Sequence, residues 1–293
     1  MGNLARSCPH CGALNASEAE RCHRCQRRLL APWIYGLLSF GRGVLGERTP
    51  FTALFFLICA LSFALMSLSS GLSLMGAASA SAQLRFGGLF IVPDGSFVAQ
   101  EPWRYLSAAF VHFGAVHLGF NMLALGGLGG ALEPKLGSAR FAVLYVLAAT
   151  LGFVASDYYH RLAGAPLMTG GASGALFGLM GAASAHKAAR REPDWKRSLF
   201  GLFAFVIIMT FLLPASMMKI DHAAHLGGLA TGLCLGYAFG LERHPERRAR
   251  SFQLGAALAV VFSIVSVVAC QLSPEWKIQR QLEIQWGLDA NGD

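Results

Sequence analysis

Long apolar runs alternate with short polar connections over most of this chain, at residues 51–75, 113–132, 141–156, 172–185, 198–214, 223–241 and 252–273. A hydrocarbon core about 30 Å thick is crossed by about 20 apolar residues in a helix, so the pattern predicts seven transmembrane helices, the third to fifth of them short. Four polar residues break the pattern: His117, Asn121, Ser173 and His225. Each falls in the first turns of the second, fourth or sixth run. Even-numbered spans of an alternating bundle start on the same side, so the four side chains are expected in one layer. Polar groups at that depth must face the bundle interior or a wet cavity, and are functional candidates by default.

Composition agrees with a polytopic membrane protein. Of 293 residues, 54% are hydrophobic and 14% charged, and the mean hydropathy is +0.48. Eighteen of the 24 Lys and Arg residues lie before the first run or in the 2–3, 4–5 and 6–7 connections. The positive-inside rule then predicts a cytosolic amino terminus and an extracytoplasmic carboxyl tail. The net charge of +8 is thus first a topology signal. No aromatic-studded basic surface is evident, so no nucleic-acid partner is expected. The first run follows some fifty polar or mixed residues and reads as a retained anchor.

Ahead of the membrane stands Cys8-Pro-His-Cys11, then Cys22-His-Arg-Cys25. Two C-x2-C knuckles at short spacing point to a tetrahedral zinc site with four thiolate ligands. So short a segment cannot bury a core, and the metal would supply its folding energy. Disulfides are the competing reading, disfavoured in a reducing cytosol. His10 and His23 can serve as substitute ligands, though four cysteines suffice. Residues 1–28 therefore read as a cytosolic zinc-ribbon-like module with a structural zinc ion, whose partner is not written in the sequence. Residues 29–50 read as a linker or interfacial segment. Cys59, Cys234 and Cys270 read as small packing residues.

Ser173 lies in Gly170-Gly-Ala-Ser173-Gly174. Gly170, Gly174 and Gly178 fall four apart, which by itself means close helix packing. The sixth run carries a matching stripe, Gly228, Gly232, Gly236 and Gly240, with His225 three residues before it. If the stripes meet, His225 reaches the Ser173 hydroxyl and packing serves chemistry. A serine needs a base to take its proton, and histidine is the natural one. Asp221 can orient His225, but fits better as the cap of that helix. His117 and Asn121 share a helix face. Their N–H groups, with the amino end of the Ser173 helix, can stabilise an oxyanion. The bland alternative makes them interhelical hydrogen-bond glue. His112 reads as a structural hydrogen-bonder, and His160, His186 and His244 as solvated loop residues. The connection 158–171 reads as irregular backbone beside a water-filled cavity.

Together these residues resemble the rhomboid intramembrane serine proteases over about 51–241. The likeness rests on Trp103-Arg104, His112-x4-His117-x3-Asn121, Gly-Ala-Ser173-Gly, Ala224-His225-Leu-Gly-Gly228-x3-Gly232, and Glu133 after Gly129-Gly-Ala-Leu. The resemblance implies an all-α six-helix core, 51–241, with a seventh helix in 242–273 and a tail in 274–293. It implies Ser173 as nucleophile, His225 as base, His117 and Asn121 assisting the oxyanion, and Arg104 with Glu133 steadying the fold. It further implies catalysis without a cofactor on membrane-protein substrates carrying a transmembrane segment, in a bilayer such as the bacterial inner membrane. Phe177 departs from the family, where many bacterial members carry Tyr; the ring can still stack on the histidine. A non-catalytic rhomboid-like binder or quality-control factor is the alternative, and retention of both Ser173 and His225 argues against it.

Overall fold

The computed structural model describes residues 6–7, 14–16, 19–26, 49–70, 78–94, 100–207 and 220–285, and within them each apolar run falls largely on a helix. Helix α1, Pro50–Ser69, starts on a proline, whose fixed φ and missing N–H suit the first turn. A connection follows, with α2 (Ala80–Arg85), β3 (Leu89–Ile91) and α3 (Arg104–Ser107). Then come α4 (Ala115–Leu136) and α5 (Ser138–Leu162), joined at Gly137, whose φ of +81° turns the chain. Strand β4 (Leu167–Thr169) leads to α6 (Ser173–Ala189), α7 (Trp195–Ile207) and α8 (His222–Leu241). Helices α9 (Ala249–Leu272) and α10 (Glu275–Gln285) close the chain. The hairpin of β1 (Arg6–Ser7) and β2 (Leu14–Asn15) precedes them all.

Among the described residues, five helical segments are long and apolar enough to cross a membrane: α1, α4, α5, α8 and the segment containing α9. The surface explains the composition. Leu123 is 75% exposed, Phe200 75% and Leu272 76%, so the outward faces are apolar and suit lipid. The protein is an integral, multi-pass membrane protein. Its core centres on α5, where Phe141, Leu144 and Tyr145 are fully buried, and the Tyr145 ring stacks on Phe55 of α1 at 4.1 Å.

Several expectations change. The fold is mostly helical, but two antiparallel two-stranded sheets qualify the all-α reading. One is formed by β3 and β4, pairing Leu89 with Thr169 and Ile91 with Leu167. The connection 158–171 is therefore not irregular throughout. Its first residues continue α5 to Leu162, and Asp157 is accommodated there by hydrogen bonds from Tyr105 (2.7 Å) and Arg161 (3.4 Å). That polar last turn hid the true length of α5. His160 consequently sits on α5, and His186 is buried within α6, where its backbone faces Gly240. Only His244 is an exposed connection residue, beside Glu246. Cys59 and Cys270 are buried packing residues, whereas Cys234 is exposed. Residues Glu275–Gln285 after Ser273 are helical, and Arg85 and Gln271 exchange hydrogen bonds of 2.9 Å while Arg85 lies over the Trp276 ring.

Of the expected zinc ligands, Cys8 and Cys11 lie outside the described residues, as do 29–48 of the linker. Cys22 is buried, and Cys25 follows on a turn. The Nδ1 of His23 is engaged by Asn15 Oδ1 at 3.0 Å. Among the described residues, no group of three or more His, Cys, Asp or Glu side chains is placed to hold a metal ion.

Candidate active site

The site is made where α6 and α8 meet. Glycine 228 lies against the backbone of Gly174, Gly232 against Gly178, Gly236 against Ala182 and Gly240 against His186. Both numbers rise together, so the helices run parallel. A Cβ at Gly228 or Gly232 would overlap the facing carbonyl, so only glycine permits this approach. On its other side α8 meets α5, where a Cβ at Gly152 would sit 2.7 Å from Ala224 O. The expected stripe is corrected at one position. Gly170 precedes α6 and faces Ala108 and Phe113, and the contact continues through Ala182 instead.

Helix α6 begins at Ser173 because the chain turns sharply just before it. Gly171 has a φ of +132°, and its N–H donates to Ala108 O at 2.8 Å. Helix α8 begins after Asp221, whose Oδ1 accepts from Ala224 N at 2.9 Å. One turn later stands His225. Its Nε2 is 2.8 Å from Ser173 Oγ. Phe177 stacks on the His225 ring, with centroids 4.2 Å apart and planes at 12°, and Phe205 packs on Phe177 at 5.8 Å. The aromatic face fixes the plane of the imidazole at the departing position, where Tyr is the alternative.

His117 Nδ1 accepts from Phe113 N at 3.4 Å, which leaves the proton on Nε2. That edge points towards Gly171: a Cβ there would come within 2.9 Å of His117 Nε2. Gly171 is thus required by both its backbone angle and its neighbour. Asn121 is buried, and its Nδ2 donates to His117 O at 2.8 Å, leaving one amide hydrogen. His112, fully buried, packs 5.1 Å from His117 and accepts from Ala172 N at 3.4 Å. The structure therefore brings Ser173, His225, His117, His112, Phe177, Gly228 and Gly232 around one locus, with Asn121 a turn along α4.

The remaining expected residues lie elsewhere. Arg104, fully buried, pairs with Glu101 and donates to Leu84 O (2.7 Å), Gly88 O (2.9 Å) and Ser273 Oγ (3.5 Å). Trp103 precedes it at the start of α3. Glu133 receives Phe51 N (3.1 Å), Thr52 N (2.9 Å) and Thr52 Oγ1 (2.7 Å), taking up N–H groups that the start of α1 leaves without helical acceptors. Arg104 and Glu133 each hold their own neighbours and do not pair with one another.

Sequence comparison places this geometry. Residues 99–242 match the family described as Rhomboid domain. The rhomboid protease GlpG of Enterobacter sp. (strain 638) is 31% identical over 226 residues, covering 72% of this chain and 74% of that protein. The chain belongs to the rhomboid family. The rhomboid protease GluP of Bacillus subtilis is 33% identical over 218 residues, 73% of this chain and 40% of that protein. GlpG of Klebsiella pneumoniae is 37% identical over 154 residues, 51% of this chain and 52% of that protein. This rhomboid thus spans about half or less of the length of those last two relatives. Residues 5–30, with all four amino-terminal cysteines, match a domain of unknown function (DUF7577).

Three residues of the site went unread in the sequence. Thr169 and Ser156 donate to Asp221 Oδ2 at 2.9 and 2.6 Å, and Phe205 backs Phe177. Ser156 lies in an apolar helix, where a hydroxyl bonds a nearby carbonyl as readily as a distant group, and Thr169 ends a three-residue strand, so spacing gave no signal for either.

Proposed function

We propose that this rhomboid is an intramembrane serine endopeptidase that hydrolyses peptide bonds in or near transmembrane segments of membrane proteins. The observation that carries the reading is the 2.8 Å contact between Ser173 Oγ and His225 Nε2 at the end of a glycine-packed seam. Ser173 attacks the scissile carbonyl carbon while His225 Nε2 takes the hydroxyl proton. The oxyanion is met by His117 Nε2–H, the remaining Asn121 N–H and the free N–H groups that open α6. Collapse breaks the C–N bond as His225 returns the proton to the leaving amine. Water, deprotonated by the same ring, then hydrolyses the acyl-enzyme and regenerates Ser173. Among the described residues no carboxylate hydrogen-bonds His225, so the base works as half of a dyad. Ser173, His117 and His225 all remain half-buried rather than sealed, which leaves an approach for substrate and water.

The distribution of Lys and Arg supports a cytosolic amino terminus, an extracytoplasmic tail and a dyad towards the outer side, as in a bacterial inner membrane. Residues 1–28 are read as a zinc-ribbon-like module, with Cys8, Cys11, Cys22 and Cys25 holding one structural zinc that takes no part in catalysis.

Purified protein in liposomes is expected to cleave a single-span reporter, and Ser173→Ala is expected not to. Equal cleavage by both would overturn the reading and leave the non-catalytic binder.

A further inference from the structure

We infer that Asp221 is a positioning residue of the dyad, holding the strand that delivers the nucleophile to the helix that carries the base; this rests on the catalytic reading above. Its carboxylate gathers three elements. Oδ1 accepts from Ala224 N at 2.9 Å and caps α8. Oδ2 accepts from Ser156 Oγ of α5 at 2.6 Å and from Thr169 Oγ1 of β4 at 2.9 Å. Thr169 lies four residues before Ser173, and Asp221 four residues before His225. One carboxylate therefore ties the two segments at equal distances ahead of the reacting pair.

The tie is needed because the glycine seam stops at this point. Packing of α6 on α8 begins at Gly174, against Gly228 and Ala224, and does not include the chain ahead of Ser173. Between Thr169 and Ser173 the chain passes through Gly170 and Gly171, the least restrained residue type. Gly171 N–H to Ala108 O anchors that stretch towards the turn after α3, but not towards α8. Among the side-chain hydrogen bonds of the described residues, Thr169 to Asp221 alone joins the approach to Ser173 with the start of the His225 helix. Three neutral donors around an acceptor-only carboxylate also satisfy it without a counter-charge in a low-dielectric region. An ordinary cap needs only the Ala224 contact. The two hydroxyl contacts are what capping leaves unexplained.

The full-length protein in detergent tests this with a fluorophosphonate, reading the labelling rate at Ser173, and with kcat and KM on a single-span reporter. Asp221→Ser keeps a capping oxygen but is too short to reach Ser156 and Thr169. Thr169→Val removes one hydroxyl and leaves the cap intact. Each is expected to slow labelling and lower kcat by roughly ten- to a hundredfold, the scale of an ångström's misplacement, with KM within about twofold. Asp221→Asn, which can still reach both hydroxyls, recovers most of the rate. The double variant is no slower than the slower single, because both break one tie. Wild-type labelling rates in the folded fraction of Asp221→Ser and Thr169→Val would overturn the inference, even if both unfold at lower temperature. A wild-type protein that neither labels nor cleaves would overturn the catalytic reading, and this inference with it.

Discussion

Gly228 rests directly on the backbone of Gly174, and that single contact decides how near an imidazole on α8 can come to a hydroxyl on α6. Ser173 precedes Gly174 by one residue and His225 precedes Gly228 by three, so any separation of the helices there opens the 2.8 Å contact between them. In lipid such close approach is itself stabilising, since small residues let backbones pack where no hydrophobic drive exists.

Enlarging the seam should damage stability and chemistry together. Gly228→Ala places a methyl group on the Gly174 carbonyl. It is expected to cost about 1–3 kcal/mol, the usual scale of overpacking. Thermal unfolding in detergent and reporter cleavage check this. Unchanged cleavage with an unchanged unfolding temperature would show that the helices can part without consequence.

Glu133 predicts the opposite separation. Its carboxylate accepts the N–H groups of Phe51 and Thr52 and the Thr52 hydroxyl, far along the sequence from the dyad. Glu133→Ala leaves the two Thr52 donors buried and unpaired and should destabilise by about 2–6 kcal/mol, at roughly 1–3 kcal/mol per orphaned group. The protein that remains folded should cleave at close to the normal rate. A large loss of kcat in folded Glu133→Ala would instead place Glu133 in the reaction path.

Phe177 covers one face of the His225 ring at 4.2 Å. Aromatic pairs of this kind are worth about 0.5–1.5 kcal/mol, so Phe177→Ala should lower kcat by about two- to tenfold. Phe177→Tyr keeps the ring and should change the rate by less than that. A strong gain on introducing the hydroxyl would mean that stacking is not the role of this position.

The amino-terminal module makes a metal prediction. Purified chain should carry about one zinc, the load of a single four-thiolate site. Cys22→Ala should lose it, while reporter cleavage persists. Metal analysis that finds none in fresh wild-type protein would refute the module.

Much of this was legible in the sequence because transmembrane spans announce themselves by length and charge, and because glycine at every fourth position marks a helix contact. The pairing of Ser173 with His225 follows from those spacings, the cap at Asp221 follows from its place just before the helix, and the stacking of Phe177 was implied by the family resemblance alone. What stayed hidden depends on long-range placement. The end of α5 carries Asp157 and Arg161, which a hydropathy reading assigns to a loop, yet Tyr105 lies in reach and the helix continues. Strand β4 has only three residues and exists because β3 pairs with it across the fold. The Glu133 partners lie on α1, far away in sequence, and no periodicity connects them. Gly170 matched the stripe in number but falls before the helix begins, so spacing alone misplaced it.

The most direct test is covalent modification of Ser173 by a fluorophosphonate in the wild-type protein and in His225→Ala, with the labelled peptide located by mass spectrometry. Labelling confined to Ser173 in the wild type, and slowed by about 10²–10⁴-fold without the imidazole, is the expected result, the range of general-base assistance. Equal labelling of both proteins, or labelling at another residue, would contradict the claim that the α6–α8 contact builds the nucleophile.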